Sequence, residues 1–144
     1  MLRHFSYLPG VVFSLLMTAV TSESHAQKTF SNLPVATDTT YGYTNTNPVK
    51  LKKGNPEKSI LREMNYLSGL TTSDKQPLVL LSRTSVLNPG YKPPLIVDRT
   101  NRKTGLLDKY VFLTAATKDT ITLFIDIYSK GALMLPAGLR YELP

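Results

Sequence analysis

The chain has 144 residues, 17 lysines and arginines against 10 acids, a net charge of +7, and neither cysteine nor tryptophan. That length suits one domain with its own core. The lack of cysteine excludes disulfides, thiol nucleophiles and thiolate-bound metal.

Arg3 and His4 open the chain, and an apolar stretch from Leu8 to Val20 follows, interrupted by Pro9-Gly10. A polar run then leads to the small-residue motif Ser24-His25-Ala26. This order predicts a secretory signal, residues 1–26, cleaved after Ala26. The apolar stretch falls short of the roughly 20 residues that a membrane-spanning helix needs. No cysteine follows it to carry a lipid anchor. The expected location is therefore periplasmic or extracellular, with no integral membrane segment after cleavage.

Cleavage removes His4 and His25, so the chain from Gln27 has no histidine. A Ser-His-Asp triad, a Cys-His pair and imidazole-bound zinc are all excluded. Arg3 and Glu23 leave together, so the charge stays at +7. A basic exported surface points to an anionic envelope component or an acidic protein rather than to nucleic acid. A solvated surface that merely aids solubility is the plainer reading.

Residues 27–40 are polar and aperiodic and predict a flexible leader. A single domain, 41–144, follows. Tyr41-Gly42-Tyr43-Thr44 precedes a turn at Asn45-Thr46-Asn47-Pro48. Val49-Lys50-Leu51-Lys52 alternates apolar and basic, as a short edge strand with its lysines in water would. A helix is predicted over about Pro56 to Ser68, with Asn55 as its cap, Pro56 in the first turn, Glu57 at the positive end of the dipole and Gly69 as its stop. Ile60, Leu61, Met64 and Leu67 form its apolar stripe, and Lys58 and Arg62 lie on the other side.

After a polar loop at Thr71–Gln76, the run from Pro77 to Val86 reads as a strand. Asn88 to Thr104 reads as a long irregular loop in which Leu95-Ile96-Val97 pairs briefly. Leu107 to Ser129 carries two β-prone runs around Thr117-Lys118-Asp119-Thr120 and predicts an antiparallel hairpin. With Lys118-Asp119 as the loop, Tyr110 faces Ile127, Phe112 faces Ile125 and Thr114 faces Leu123. Tyr110 and Phe112 then join Ile121, Leu123, Ile125 and Ile127 on one face. Gly131 to Pro136 adds a turn and a short edge segment. The expected fold class is α+β: one helix packed on a small antiparallel sheet of about four strands.

Chemistry-bearing patterns are few. There is no Gly-rich phosphate loop, and the acids are too scattered for calcium, so no cofactor or metal is expected. Thr72 with Lys75 and Thr100 with Lys103 lie in polar loops. Asp108 and Asp126 sit on neighbouring strands but, in the register above, on opposite faces, which does not suit a glycosidase pair. Lys50, Lys52, Lys53, Lys58 and Arg62 cluster in sequence with Glu57 as the one acid among them, and make a candidate binding rim for an anionic partner. Two functions of different class follow. One is a non-catalytic exported binding or envelope-associated domain. The other is a small hydrolase using carboxylates or a Ser/Lys pair. The missing histidine and cysteine favour the first.

Three groups of residues, in this order and spacing, resemble a family of small exported bacterial proteins of uncharacterised function. They are Tyr41-Gly42-Tyr43-Thr44 with Asn47-Pro48-Val49-Lys50; Met64-Asn65-Tyr66-Leu67; and Gly105-Leu106-Leu107-Asp108-Lys109-Tyr110 with Leu123-Phe124-Ile125-Asp126-Ile127-Tyr128 and Leu135-Pro136-Ala137-Gly138. The resemblance covers about residues 41–141. Members often carry the label 2-dehydro-3-deoxyphosphooctonate aldolase. That chemistry belongs to a (β/α)₈ barrel of roughly 250 residues, which this chain is too short to build. The family typically has a cysteine pair near Ser82 to Val86, where this chain has Thr84-Ser85, so no role of those cysteines carries over.

Overall fold

The computed structural model describes residues 30–52, 54–91 and 105–143. The expected export signal, Lys53 and the expected pairing at Leu95-Ile96-Val97 lie outside the described residues. The elements are strand β1 (Val49–Lys50), helix α1 (Pro56–Ser68), β2 (Leu70–Thr72), β3 (Leu78–Leu87), β4 (Leu106–Thr114), β5 (Thr120–Asp126) and β6 (Leu139–Tyr141). Four strands form one sheet in the order β1-β5-β4-β3, and β2 pairs with β6 in a separate ribbon. The fold is α+β with one helix among the described residues, not a barrel of repeated strand–helix units.

The sheet is mixed rather than wholly antiparallel. β3, β4 and β5 run antiparallel, but β1 joins β5 in parallel, Val49 opposite Ile125 and Lys50 opposite Asp126. A parallel neighbour needs a long crossover, and here α1, β2, β3 and β4 intervene.

The β4–β5 hairpin forms as its sequence directs, in a different register. Tyr110 pairs with Leu123 and Phe112 with Ile121, a displacement of four residues from the tight-loop expectation. The cause is a wider turn. The Thr114 N–H donates to the Asp119 carbonyl at 2.9 Å, and the Asp119 N–H donates to the Thr114 hydroxyl at 3.1 Å. Lys118 takes a left-handed conformation, φ 60°. Because the displacement is even, every side chain keeps its face. Tyr110, Phe112, Leu123, Ile125 and Ile127 are all buried in the main core, with Ile121 packed at its margin.

The helix forms where expected, and the Asn55 side chain accepts the Lys58 N–H at 3.0 Å. Its buried face is not the expected one. Ile60, Leu61 and Met64 are 42%, 59% and 62% exposed, and of that stripe Leu67 alone packs partly against the core. The buried residues are Ser59, Glu63 and Tyr66, which share the i, i+4, i+7 spacing. Two interactions set this rotation. The Tyr66 hydroxyl donates to the Met134 carbonyl at 2.9 Å while its ring meets Phe30 edge-on at 5.7 Å. Glu63 reaches Arg83 on β3.

Phe30 also explains why the described part of the expected flexible leader, residues 30–40, packs into the body of the protein. Its ring is buried between Tyr66 and Tyr141. Ala36 is buried, its N–H donates to the Leu135 carbonyl at 2.8 Å, and the Leu135 N–H donates to the Pro34 carbonyl at 2.9 Å. The chain then turns at Gly42, φ 80°, where a side chain would strike Pro136 and Val49.

Among the described residues β3 lies at one edge of the sheet, and Val79, Leu80 and Leu81 on it are exposed. A bulge between Leu80 and Ser82 interrupts its pairing with β4, a device that blunts an edge against further pairing. No helix among the described residues is long and apolar enough to cross a membrane.

Candidate functional site

The carboxyl ends of β1, β3 and β5 lie at one end of the sheet, because all three run the same way. A pocket of about 320 Å³ opens there, lined by Lys52 after β1, Asn88 and Tyr91 after β3, and Asp126, Tyr128, Ser129 and Lys130 at the end of β5. Clefts outside the carboxyl ends of parallel strands are common ligand sites, since the chain must leave the sheet there and cannot fill the space it vacates.

Local structure fixes each wall. Asp126 is buried, and its Oδ1 accepts the N–H groups of Tyr128 and Ser129 at 2.8 and 2.9 Å. The carboxylate thereby folds its own turn and places Tyr128, Ser129 and Lys130 at the mouth. Its carbonyl accepts the Leu51 N–H at 2.8 Å, which carries the end of β1 and Lys52 alongside. On the far wall the Asn88 N–H donates to the Gly105 carbonyl at 2.7 Å, and Asn88 Oδ1 accepts the Gly90 N–H at 2.9 Å. The Tyr91 ring lies directly on Gly105, where any side chain would collide with it.

Lys52 is half-buried and Lys130 exposed, and neither comes within ion-pair distance of an acid among the described residues. Two unpaired ammonium groups on one concavity raise the local potential for an anion. Of the expected basic rim, Lys52 lines this pocket. Lys50 lies beside it on β1 with its stem over Gly131, Lys58 is exposed on the first turn of α1, and Lys53 is outside the described residues. Arg62 is turned elsewhere: it is half-buried, with its guanidinium 5.9 Å from the Phe30 ring centroid. Lys130, Asn88 and Tyr91 were not legible as site residues, because the strand order that brings the ends of β1, β3 and β5 to one end of the sheet leaves no local pattern.

A second polar cluster lies under the helix. Arg83 Nη2 is 3.0 Å from Asp108 Oδ2 and 3.5 Å from Glu63 Oε2, and its guanidinium stands 5.4 Å from the Tyr110 ring centroid. Ser85 Oγ donates to Asp108 Oδ1 at 3.3 Å. Glu63 is fully buried, and its Oε1 has no hydrogen-bond partner among the described residues. Burial, reinforced by the negative charge of Asp108 and only partly offset by Arg83, pushes the Glu63 carboxyl up to about 7. Burial likewise raises the Tyr110 hydroxyl. Asp108 opposes Ile125, so it lies on the helix-bearing face, and Asp126, next along β5, belongs to the other. The two aspartates remain apart, as the sequence implies, and the carboxyl that does join Asp108 is Glu63.

Among the described residues, no group of three acids or histidines is placed to hold a metal ion. Comparison of the chain with protein-family models, with curated proteins and with solved structures returns no match.

Proposed function

We propose that the protein is an exported, non-catalytic binding domain whose pocket at the strand ends takes a ligand bearing negative charge, such as an anionic envelope component or an acidic protein segment. The observation that carries this reading is the pair Lys52 and Lys130, on one concave surface and without acidic partners among the described residues. Lys50 and Lys58 extend the basic surface outward as an approach. Export rests on residues 1–26, and the mature protein should begin at Gln27 by mass spectrometry; a full-length cytosolic product would remove that part of the reading.

The binding test is a titration of the domain with polyphosphate, a generic polyanion, followed by chemical-shift changes at low and high salt. Surface charges act over a Debye length of about 8 Å at physiological ionic strength, so affinity should fall as salt rises. Shifts should centre on Lys52, Ser129 and Lys130 and vanish in Lys52→Glu/Lys130→Glu. Unchanged binding by that folded variant would move the site away from this pocket.

A hydrolase is the second reading, and one observation favours it. Burial raises the Glu63 carboxyl to about 7, so it keeps its proton under mildly acidic conditions beside Asp108, the division of labour that general acid and charged partner make in carboxylate catalysis. Against it stands the complete burial of Glu63 beneath α1, where no substrate reaches it. Hydrolysis of aryl glycosides that is lost in Glu63→Gln would establish that reading. The aldolase label of the family that the sequence resembles forms no part of the proposal, because the described residues, with α1 beside a four-stranded mixed sheet, offer none of the barrel frame.

A further inference from the structure

The pocket does not present positive charge alone. Asp126 Oδ1 is engaged by two N–H groups, but its Oδ2 makes no hydrogen bond among the described residues. A simple anion, whether phosphate, sulfate or a carboxylate side chain, offers only acceptors and would meet this fixed negative group at close range. Asn88 spends its carbonyl oxygen on the Gly90 N–H, which leaves its amide N–H₂ to donate. The Ser129 hydroxyl can do either. Tyr91 and Tyr128 add flat apolar surface, with Tyr91 held by its contact with Gly105.

The ligand that uses all of this has hydroxyl donors for Asp126, acceptors for Asn88 and Ser129, a face of C–H groups for an aromatic ring, and a negative group for the two lysines. We propose that the pocket binds an acidic sugar: a pyranose whose ring carries a carboxylate, at the end or edge of an anionic glycan. Hydroxyl groups of the ring donate to Asp126 Oδ2, and the carboxylate pairs with Lys52 and Lys130. The cavity volume of about 320 Å³ stands at the lower end of the range for small-ligand sites, the scale of one or two sugar rings rather than an extended peptide. This inference rests on the anionic-ligand reading above and narrows it.

Calorimetric or chemical-shift titrations with glucuronate and galacturonate, beside glucose and inorganic phosphate at equal ionic strength, separate the two ideas. The uronates should bind at least about tenfold more tightly than either control, a difference of about 1.4 kcal/mol. Lys130→Ala, at an exposed side chain, should reduce uronate binding toward that of glucose. Asp126 holds its own turn, so the hydroxyl contact is best tested with Ser129→Ala and Tyr91→Ala, each checked for an unchanged melting temperature. Both should weaken uronate binding while leaving polyphosphate binding in place. Polyphosphate binding with uronates no better than phosphate would overturn the sugar inference and keep the anion reading. Glucose binding as well as the uronates would overturn the charge requirement. No binding by any of these probes would overturn both.

Discussion

The molecule holds two clusters of mixed charge, and they are built on opposite principles. Under α1, Arg83 is shared between Glu63 and Asp108, with Ser85 and Tyr110 close by, and the helix shuts the cluster from one side. At the strand ends, Lys52, Asp126 and Lys130 line open space, and Asp126 Oδ1 is held by the backbone N–H groups of its own turn. The first cluster spends its charges on joining helix to sheet. The second leaves them uncommitted, as a ligand site must, because a side chain already paired internally gains little by pairing again. Burial alone would have ranked them the other way, since the most perturbed acid, Glu63, sits in the closed cluster.

Changes to the main core should have the largest effect. Ile125 opposes Asp108 across the hairpin and Val49 across the parallel pair, and is fully buried. Ile125→Ala should cost on the order of 2–5 kcal/mol in urea unfolding. A loss below about 0.5 kcal/mol would mean that the buried, helix-bearing face of the hairpin is misassigned.

The closed cluster should announce itself through pH. Glu63 titrates at about 7 when folded against a usual 4.5, so between those values the folded chain binds more protons than the unfolded one. Its contribution to stability is full below pH 4.5 and is lost as the pH rises through about 7. The difference amounts to about 3 kcal/mol. Glu63→Gln should flatten that slope. Asp38 is shifted the opposite way by hydrogen bonds from Thr40 and acts only below its usual 3.8, outside this window. An unchanged slope in Glu63→Gln would place the titrating group elsewhere.

Arg83→Leu should cost less, about 1–2 kcal/mol near pH 8, because half of its side chain is already in water. The loss should shrink at pH 5, where Glu63 is neutral. The open cluster should scarcely register in stability. Lys52→Ala and Lys130→Ala should each stay within about 0.5 kcal/mol of the parent while binding falls. If either destabilises as much as Arg83→Leu, the two clusters are alike after all and the pocket is structural.

How far the sequence anticipates this arrangement differs from element to element. The strand faces were legible because period-two alternation survives an even register displacement, so a wrong turn length left Tyr110, Phe112, Leu123 and Ile125 correctly inside. The helix was legible in its ends and not in its orientation. Ile60, Leu61 and Met64 make the more apolar stripe, but Tyr66 and Glu63 have partners on Phe30, Met134 and Arg83, all distant in sequence. Specific contacts outweighed bulk hydropathy. Of the residues that line the pocket, Lys52 stands out in the sequence as part of a basic run. Lys130 and Tyr91 do not, since their proximity follows from the way that three separate strands end together.

The two-residue parallel strand β1 also bears on the order in which the chain acquires its structure. The β3-β4-β5 meander is stitched by contacts between neighbours in sequence and can assemble early. Val49 and Lys50 reach β5 only by closing a loop that includes almost all of that meander, and the entropy of such closure must be met before any contact rewards it. β1 is therefore expected to dock late and to detach first, taking Lys52 with it. A ligand that bridges Lys52 and Lys130 would act as a clasp across this weakest seam, and hydrogen exchange at Leu51, whose N–H bonds to Asp126, should slow when the pocket is filled.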